Sequence, residues 1–177
     1  MPGNPAADLG RILVVDDEPE LREALAEHLR SRGLEVATAA DGRAAVLAIE
    51  REPTAFGLMF VDLALPAVDG FGVLKAARSA GACAEIVIIT GYASIARAVE
   101  AVRLGAYDFL PKPFALAQVD LVLTRLQVRL SLEKRNERLA LQVAQLLEIR
   151  AAVEQGFSTL HSRLTRIERR LDMESPV

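Results

Sequence analysis

Asp16, Asp17, Asp62, Thr90 and Lys112 hold most of this chain's capacity for chemistry, and each stands at the end of a short apolar run. Asp16 and Asp17 follow Arg11–Val15, Asp62 closes Phe56–Val61, Thr90 closes Glu85–Ile89, and Lys112 lies just past Tyr107–Leu110. Carboxylates gathered at one edge repel and raise one another's pKa unless a cation sits among them. No His or Cys accompanies them, so the expected ion is hard and oxygen-loving. Mg2+ fits, because it binds a few carboxylates and keeps waters for a phosphate ligand. A lysine adds a fixed positive charge and a threonine hydroxyl donates to a phosphoryl oxygen. One carboxylate can then act as nucleophile to give an aspartyl phosphate. Taken singly, each residue has a plainer explanation, as a solvated loop acid, a strand terminator or an edge lysine. Their joint arrangement carries the argument.

The elements that must position these residues follow from periodicity. Pro19 sits where a first helical turn begins, and Leu21, Leu25 and Leu29 recur at helical spacing until Gly33. Leu34–Ala39 predicts a weaker strand, Asp41-Gly42 opens a helix to about Arg51, and Phe56–Val61 is a third strand. Helices over Gly70 to about Ala80 and over Ser94–Leu104 flank the strand Glu85–Ile89, and Tyr107–Leu110 is the fifth strand. Successive βα units with right-handed crossovers demand a doubly wound α/β fold, a five-stranded parallel sheet with helices on both faces. Chemistry in such folds lies beyond the carboxyl ends of the strands, where the reactive residues fall here.

The same residues carry a family resemblance. Val14-Val15-Asp16-Asp17-Glu18, Val61-Asp62-Leu63-Ala64-Leu65-Pro66 with Asp69-Gly70, Ile89-Thr90-Gly91-Tyr92, and Gly105 through Phe114 resemble receiver (CheY-like) domains of bacterial two-component response regulators over about Gly10 to Leu126. The resemblance implies a flavodoxin-like strand order of 2-1-3-4-5. It implies Asp62 as phospho-acceptor, with Asp17 a direct Mg2+ ligand, Asp16 acting through water, and the Ala64 main-chain carbonyl a further ligand. Thr90 would bond the phosphoryl group, Lys112 would pair with one of its oxygens, and Phe109 would be the switch aromatic. Tyr107 is read as structural. Tyr92 and Ala64 follow the threonine and the aspartate at places that govern water access, and bulky Tyr92 is expected to shield the phosphoryl group. A sensor histidine kinase or phosphotransfer protein would be the donor. The expected chemistry is self-phosphorylation and self-dephosphorylation, with no external substrate.

From Ala115 to Gln155 there is no glycine or proline, and a heptad stripe runs on from there. Its d positions are Leu132, Leu139, Leu146, Val153, Leu160 and Ile167, and its a positions are Asn136, Val143, Arg150, Phe157, Leu164 and Leu171. Such a stripe predicts a coiled coil, and Asn136 at an a position suits a parallel two-stranded homodimer in register. The alternative is one amphipathic helix packed on the receiver or on a partner. Gly156 is a candidate bend. The expected organisation is a disordered tail over residues 1–9, a receiver over 10–128, a coiled-coil helix over 129–172 continuous with the last receiver helix, and a disordered end over 173–177.

Composition narrows the class. The single Cys83 excludes an internal disulfide and a Cys-rich metal site. No apolar run is long enough for a bilayer and no signal core opens the chain, so a cytoplasmic protein without membrane contact is expected. Up to Leu123 there are 11 Lys+Arg against 17 Asp+Glu, and from Thr124 onward 10 against 7. Neither part has the concentrated basic face of a nucleic-acid binder. The downstream protein is not legible. Four outputs stay open: a stand-alone regulator, a receiver-plus-linker piece of a longer enhancer-binding ATPase regulator, a phosphotransfer intermediate using His161, and a hydrolase with an Asp nucleophile. His28 is expected at the surface of the first helix.

Overall fold

The computed structural model describes residues 9–91 and 95–173. Strand β1 (Arg11–Val15) leads to helix α1 (Pro19–Ser31), β2 (Val36–Ala39) to α2 (Gly42–Arg51), and β3 (Phe56–Asp62) to α3 (Gly70–Ser79). Strand β4 (Glu85–Thr90) precedes α4 (Ile95–Arg103), and β5 (Asp108–Pro111) precedes α5 (Leu116–Met173). All strand pairs are parallel, in the order β2-β1-β3-β4-β5. The order reverses beside β1, so the crevice between β1 and β3 is the switch point.

Both faces of the central strands are buried, which explains their unbroken apolar runs. On one face Leu13, Val15, Met59, Val61, Ile86 and Ile88 join Ala45 and Ile49 of α2 and Val73, Leu74 and Ala77 of α3 in one cluster. The alternate residues Ile12, Val14, Leu58, Phe60, Val87 and Ile89 are equally buried. So are Leu25 and Leu29 of α1 and Val119 and Leu126 of α5. Helices α2 and α3 begin with aspartate caps: Asp41 accepts from the Ala44 N–H at 2.7 Å, and Asp69 accepts from the Gly72 N–H at 2.8 Å.

Two expectations need correcting. Leu9, assigned to the N-terminal tail, is fully buried. Its carbonyl runs so close to β3 that a Cβ on Gly57 would come within 1.9 Å of it. His28 is not a free surface residue. Its Nε2 lies 2.9 Å from Asp120 Oδ1 of α5, and Arg32 binds the other oxygen of the same carboxylate. Partial burial pushes the Asp120 carboxyl up, but His28 and Arg32 outweigh it and hold it below the ordinary range. Apolar spacing shows that α1 has a buried face; it does not show which charged group of a distant helix will meet the rim of that face.

Ala67, in the loop between β3 and α3, has φ of 65°. An L residue there costs about 1–2 kcal/mol, and glycine avoids that at a smaller entropic cost. Ala67→Gly should therefore raise unfolding stability by about 0.5–1 kcal/mol, measured by urea titration.

The chain divides into two compact units, one ending at Arg129 and the other beginning at Leu130. In the second unit the helix passes through Gly156 without interruption. Arg150 pairs with Glu154 at 2.8 Å, one turn on. Leu132, Leu139, Val143, Leu146, Val153, Phe157, Leu160, Leu164 and Ile167 are each about half exposed or more, as are Leu141, Leu147 and Ile149 off the stripe. Asn136 and Arg150 are exposed too, and the Leu171 side chain lies outside the described residues. Tyr92 also lies outside them, as do residues 1–8 and 174–177. Among the described residues no helix is long and apolar enough to cross a membrane.

Candidate functional site

Strand register brings the reactive residues together. Val15 pairs with Val61, so Asp16 and Asp62 leave neighbouring strands side by side. Asp62 pairs with Ile89, which places Thr90 one residue further along β4. Thr90 pairs with Pro111, and the Lys112 N–H donates to the Thr90 carbonyl at 2.8 Å. Five residues from four segments thus share one edge, and the sheet's period does the work.

Asp16, Asp17 and Asp62 each bring a carboxylate oxygen within 4.8 Å of the others. Asp16 and Asp62 are buried while Asp17 is exposed. The Glu18 N–H donates to Asp16 Oδ1 at 2.9 Å, and the Ala64 N–H lies 3.4 Å from Asp62 Oδ1. Lys112 Nζ lies 2.9 Å from Asp16 Oδ2, 2.9 Å from Glu18 Oε1 and 3.1 Å from Asp62 Oδ2. Its hydrogen bonds are directed at Glu18 and Asp62. Asp16 Oδ2 is in ion contact with the ammonium but accepts no hydrogen bond. Burial pushes the Asp16 carboxyl up, with Lys112 and the Glu18 amide pulling it partly back. Burial alone would lower the Lys112 ammonium, but Asp16, Glu18 and Asp62 outweigh it and raise it above its ordinary value.

A cluster of oxygen donors that includes one orphaned, buried oxygen is unsatisfied by a single ammonium. The donor set fits a hard divalent cation that tolerates few protein ligands, which is the preference of Mg2+. Backbone packing holds the set in place. A Cβ on Gly70 would come within 2.5 Å of the Asp62 carbonyl, so α3 can start this close to the acceptor loop because that residue lacks one. The Arg22 guanidinium donates to the Asp16 carbonyl at 2.7 Å, fixing the turn after β1.

A sequence model of the response regulator receiver domain matches residues 12–124. The chain belongs to that family. The receiver resembles the C4-dicarboxylate transport transcriptional regulatory protein DctD of Pseudomonas aeruginosa, with 41% identity over 133 residues, covering 74% of this chain and 28% of that protein. It is 37% identical over 153 residues to the response regulator protein FleR of the same species, covering 85% of this chain and 32% of that protein. The chain therefore spans about a third or less of these relatives' lengths. Among solved structures, the receiver domain of NtrX from Brucella abortus superposes with a TM-score of 0.59 at 39% identity, covering 64% of this chain and 95% of that one. A CheY-like receiver from Methanospirillum hungatei gives 0.65 at 28% identity, covering 71% and 98%. Receiver domains bind Mg2+ at such an acidic pocket and interact with histidine kinases or phosphotransfer proteins.

Phe109 is half-buried and packs against the core cluster beside β4, in register with Ile88. Tyr107 stays out of the pocket, with its ring centroid 5.7 Å from the Arg129 guanidinium. His161 is exposed in the second unit. Glu18 and Arg22 are the site residues that motif reading left without a role. Glu18 stands within the quoted acidic run, but nothing in its spacing shows that its side chain turns toward Lys112.

Proposed function

We propose that Asp62 is the phosphoryl acceptor of a two-component receiver, with Lys112, Thr90 and a bound Mg2+ neutralising the group in transfer. The observation that carries this reading is the Lys112 ammonium 3.1 Å from Asp62 Oδ2, at the edge of the three-aspartate cluster. A carboxylate oxygen of Asp62 forms the new bond to phosphorus as the bond to the donor's nitrogen or oxygen breaks. The leaving histidine or acetate departs with that electron pair. Asp16, Asp17, Asp62 and the Ala64 carbonyl would hold the metal, which when bound supplies charge neutralisation at the phosphoryl oxygens. Lys112 holds a second positive charge at the acceptor, and Thr90 stands next to it to donate its hydroxyl. Phe109 is assigned the switch role on its position in β5. The donor is a sensor histidine kinase or phosphotransfer protein, and no external ester is turned over. Acetyl phosphate with Mg2+, read by intact mass, tests this: one phosphoryl group per chain is expected, and continuous release of phosphate from a supplied ester would count for a hydrolase.

The tail is read as a parallel homodimeric coiled coil that relays the signal to an unidentified downstream protein. Its support is the exposed apolar stripe, because a lone soluble helix does not keep a row of this length open to water. Leu146→Asp should convert a dimer to a single chain in light scattering, and a wild type already of single-chain mass would count against the pairing. A second reading has its own support: a chain spanning 28% and 32% of its relatives' lengths suits a receiver with its linker in a longer regulator.

A further inference from the structure

Glu18 does something its place in the fold does not require. It occupies the N-cap of α1, where a side-chain oxygen ordinarily accepts a main-chain N–H of the first turn, yet it makes no capping bond. Its carboxylate reaches Lys112 Nζ instead, at 2.9 Å across to the loop after β5. An ammonium has three N–H donors, and here three carboxylate oxygens already surround it at 2.9, 2.9 and 3.1 Å. Two of its three N–H donors go to Glu18 and Asp62, and Asp16 Oδ2 crowds the remaining side, so a phosphoryl oxygen competes with these contacts for the ammonium. Asp16 is 2% exposed and has no path to turn into water, and Asp62 is the residue that carries the new group. Glu18 is 64% exposed and loses little by turning into water.

We propose that Glu18 is a placeholder for the phosphoryl group: its carboxylate holds Lys112 in the resting receiver and gives it up when Asp62 is modified. Glu18 is thus a positioning residue that opposes the modified state, and the proposal rests on Asp62 being the acceptor. Removing the placeholder favours the modified form by the strength of a half-exposed ion pair, about two- to fivefold in affinity for a phosphoryl mimic.

Glu20 supplies the control. It is exposed on the rim of the same groove, which Glu18, Leu21, Gly91, Lys112, Pro113 and Phe114 also line, and it forms no ion pair with Lys112. Wild type, Glu18→Gln, Glu18→Ala and Glu20→Gln are titrated with beryllofluoride in Mg2+ and followed by fluorine NMR. Proton exchange of the Lys112 ammonium is followed separately on the metal-free proteins. Both Glu18 variants should bind the mimic more tightly and exchange ammonium protons faster, with Glu20→Gln like wild type. Equal gains at Glu18 and Glu20 would reduce the effect to rim charge and overturn the proposal. So would unchanged or weaker binding in the Glu18 variants, the mark of a merely structural residue. If wild type itself takes up no mimic, the acceptor reading falls first and the placeholder with it.

Discussion

Asp62→Asn is expected to take up no phosphoryl group from acetyl phosphate and Mg2+ under conditions where wild type is labelled to one per chain. The amide keeps the shape of the carboxylate but lacks its nucleophilic oxygen and its charge, so neither attack nor full attraction of the cation survives. Asp16→Asn and Asp17→Asn keep the nucleophile and should be labelled slowly, with a raised metal requirement. The contrast matters because all three aspartates lie within reach of one another. Asp16 shares the burial and the contact with Lys112, so Asp62 is singled out by standing between β1 and β4, with Thr90 one step along the neighbouring strand. Label persisting at the wild-type level in Asp62→Asn, mapped by peptide mass to Asp16 or Asp17, would move the acceptor.

Lys112→Met should lose both labelling and stability. Deleting a preorganised charge at the reacting oxygens slows transfer about a hundredfold. It also leaves buried Asp16 and Asp62 facing each other without an ammonium, at a cost of about 3–5 kcal/mol at neutral pH. The pH dependence carries a sign. Lys112, raised in the folded protein, contributes stability that is full below its unfolded value of about 10.4 and fades as pH rises through the folded one. Asp16 is raised as well, chiefly by burial, so its contribution is greatest below about 3.9 and is lost as pH rises through its folded value. Without the ammonium that pulls Asp16 back down, this second dependence steepens. Urea midpoints taken at about pH 7 and about pH 5 should therefore climb more on acidification in Lys112→Met than in wild type. Parallel changes in the two proteins would mean that Lys112 does not govern the Asp16 carboxyl.

Much of this site could be read without coordinates because its parts sit on a regular lattice. Once the apolar runs are taken as parallel strands, their carboxyl ends share an edge, and Asp16, Asp62, Thr90 and Lys112 must converge there. The same logic gave the parallel sheet and most of the helix starts, where Pro19, Asp41 and Asp69 carry local signals, while the strand order came from the family resemblance. What escaped depends on long side chains whose reach is not periodic. Glu18 could as well have capped its own helix, and His28 could as well have faced water. Each is decided by a residue on another segment, Lys112 or Asp120, and sequence spacing does not encode that meeting. The edges of β2 and β5 moved by one or two residues, because terminal residues of a short strand gain or lose pairing on small shifts.

The main-chain bond from Lys112 to the Thr90 carbonyl has a mechanical side. It yokes the tips of β4 and β5, so the main chains that carry the ammonium and the hydroxyl cannot part without breaking that bond. Whatever displaces the backbone under either donor is therefore passed to the backbone under the other.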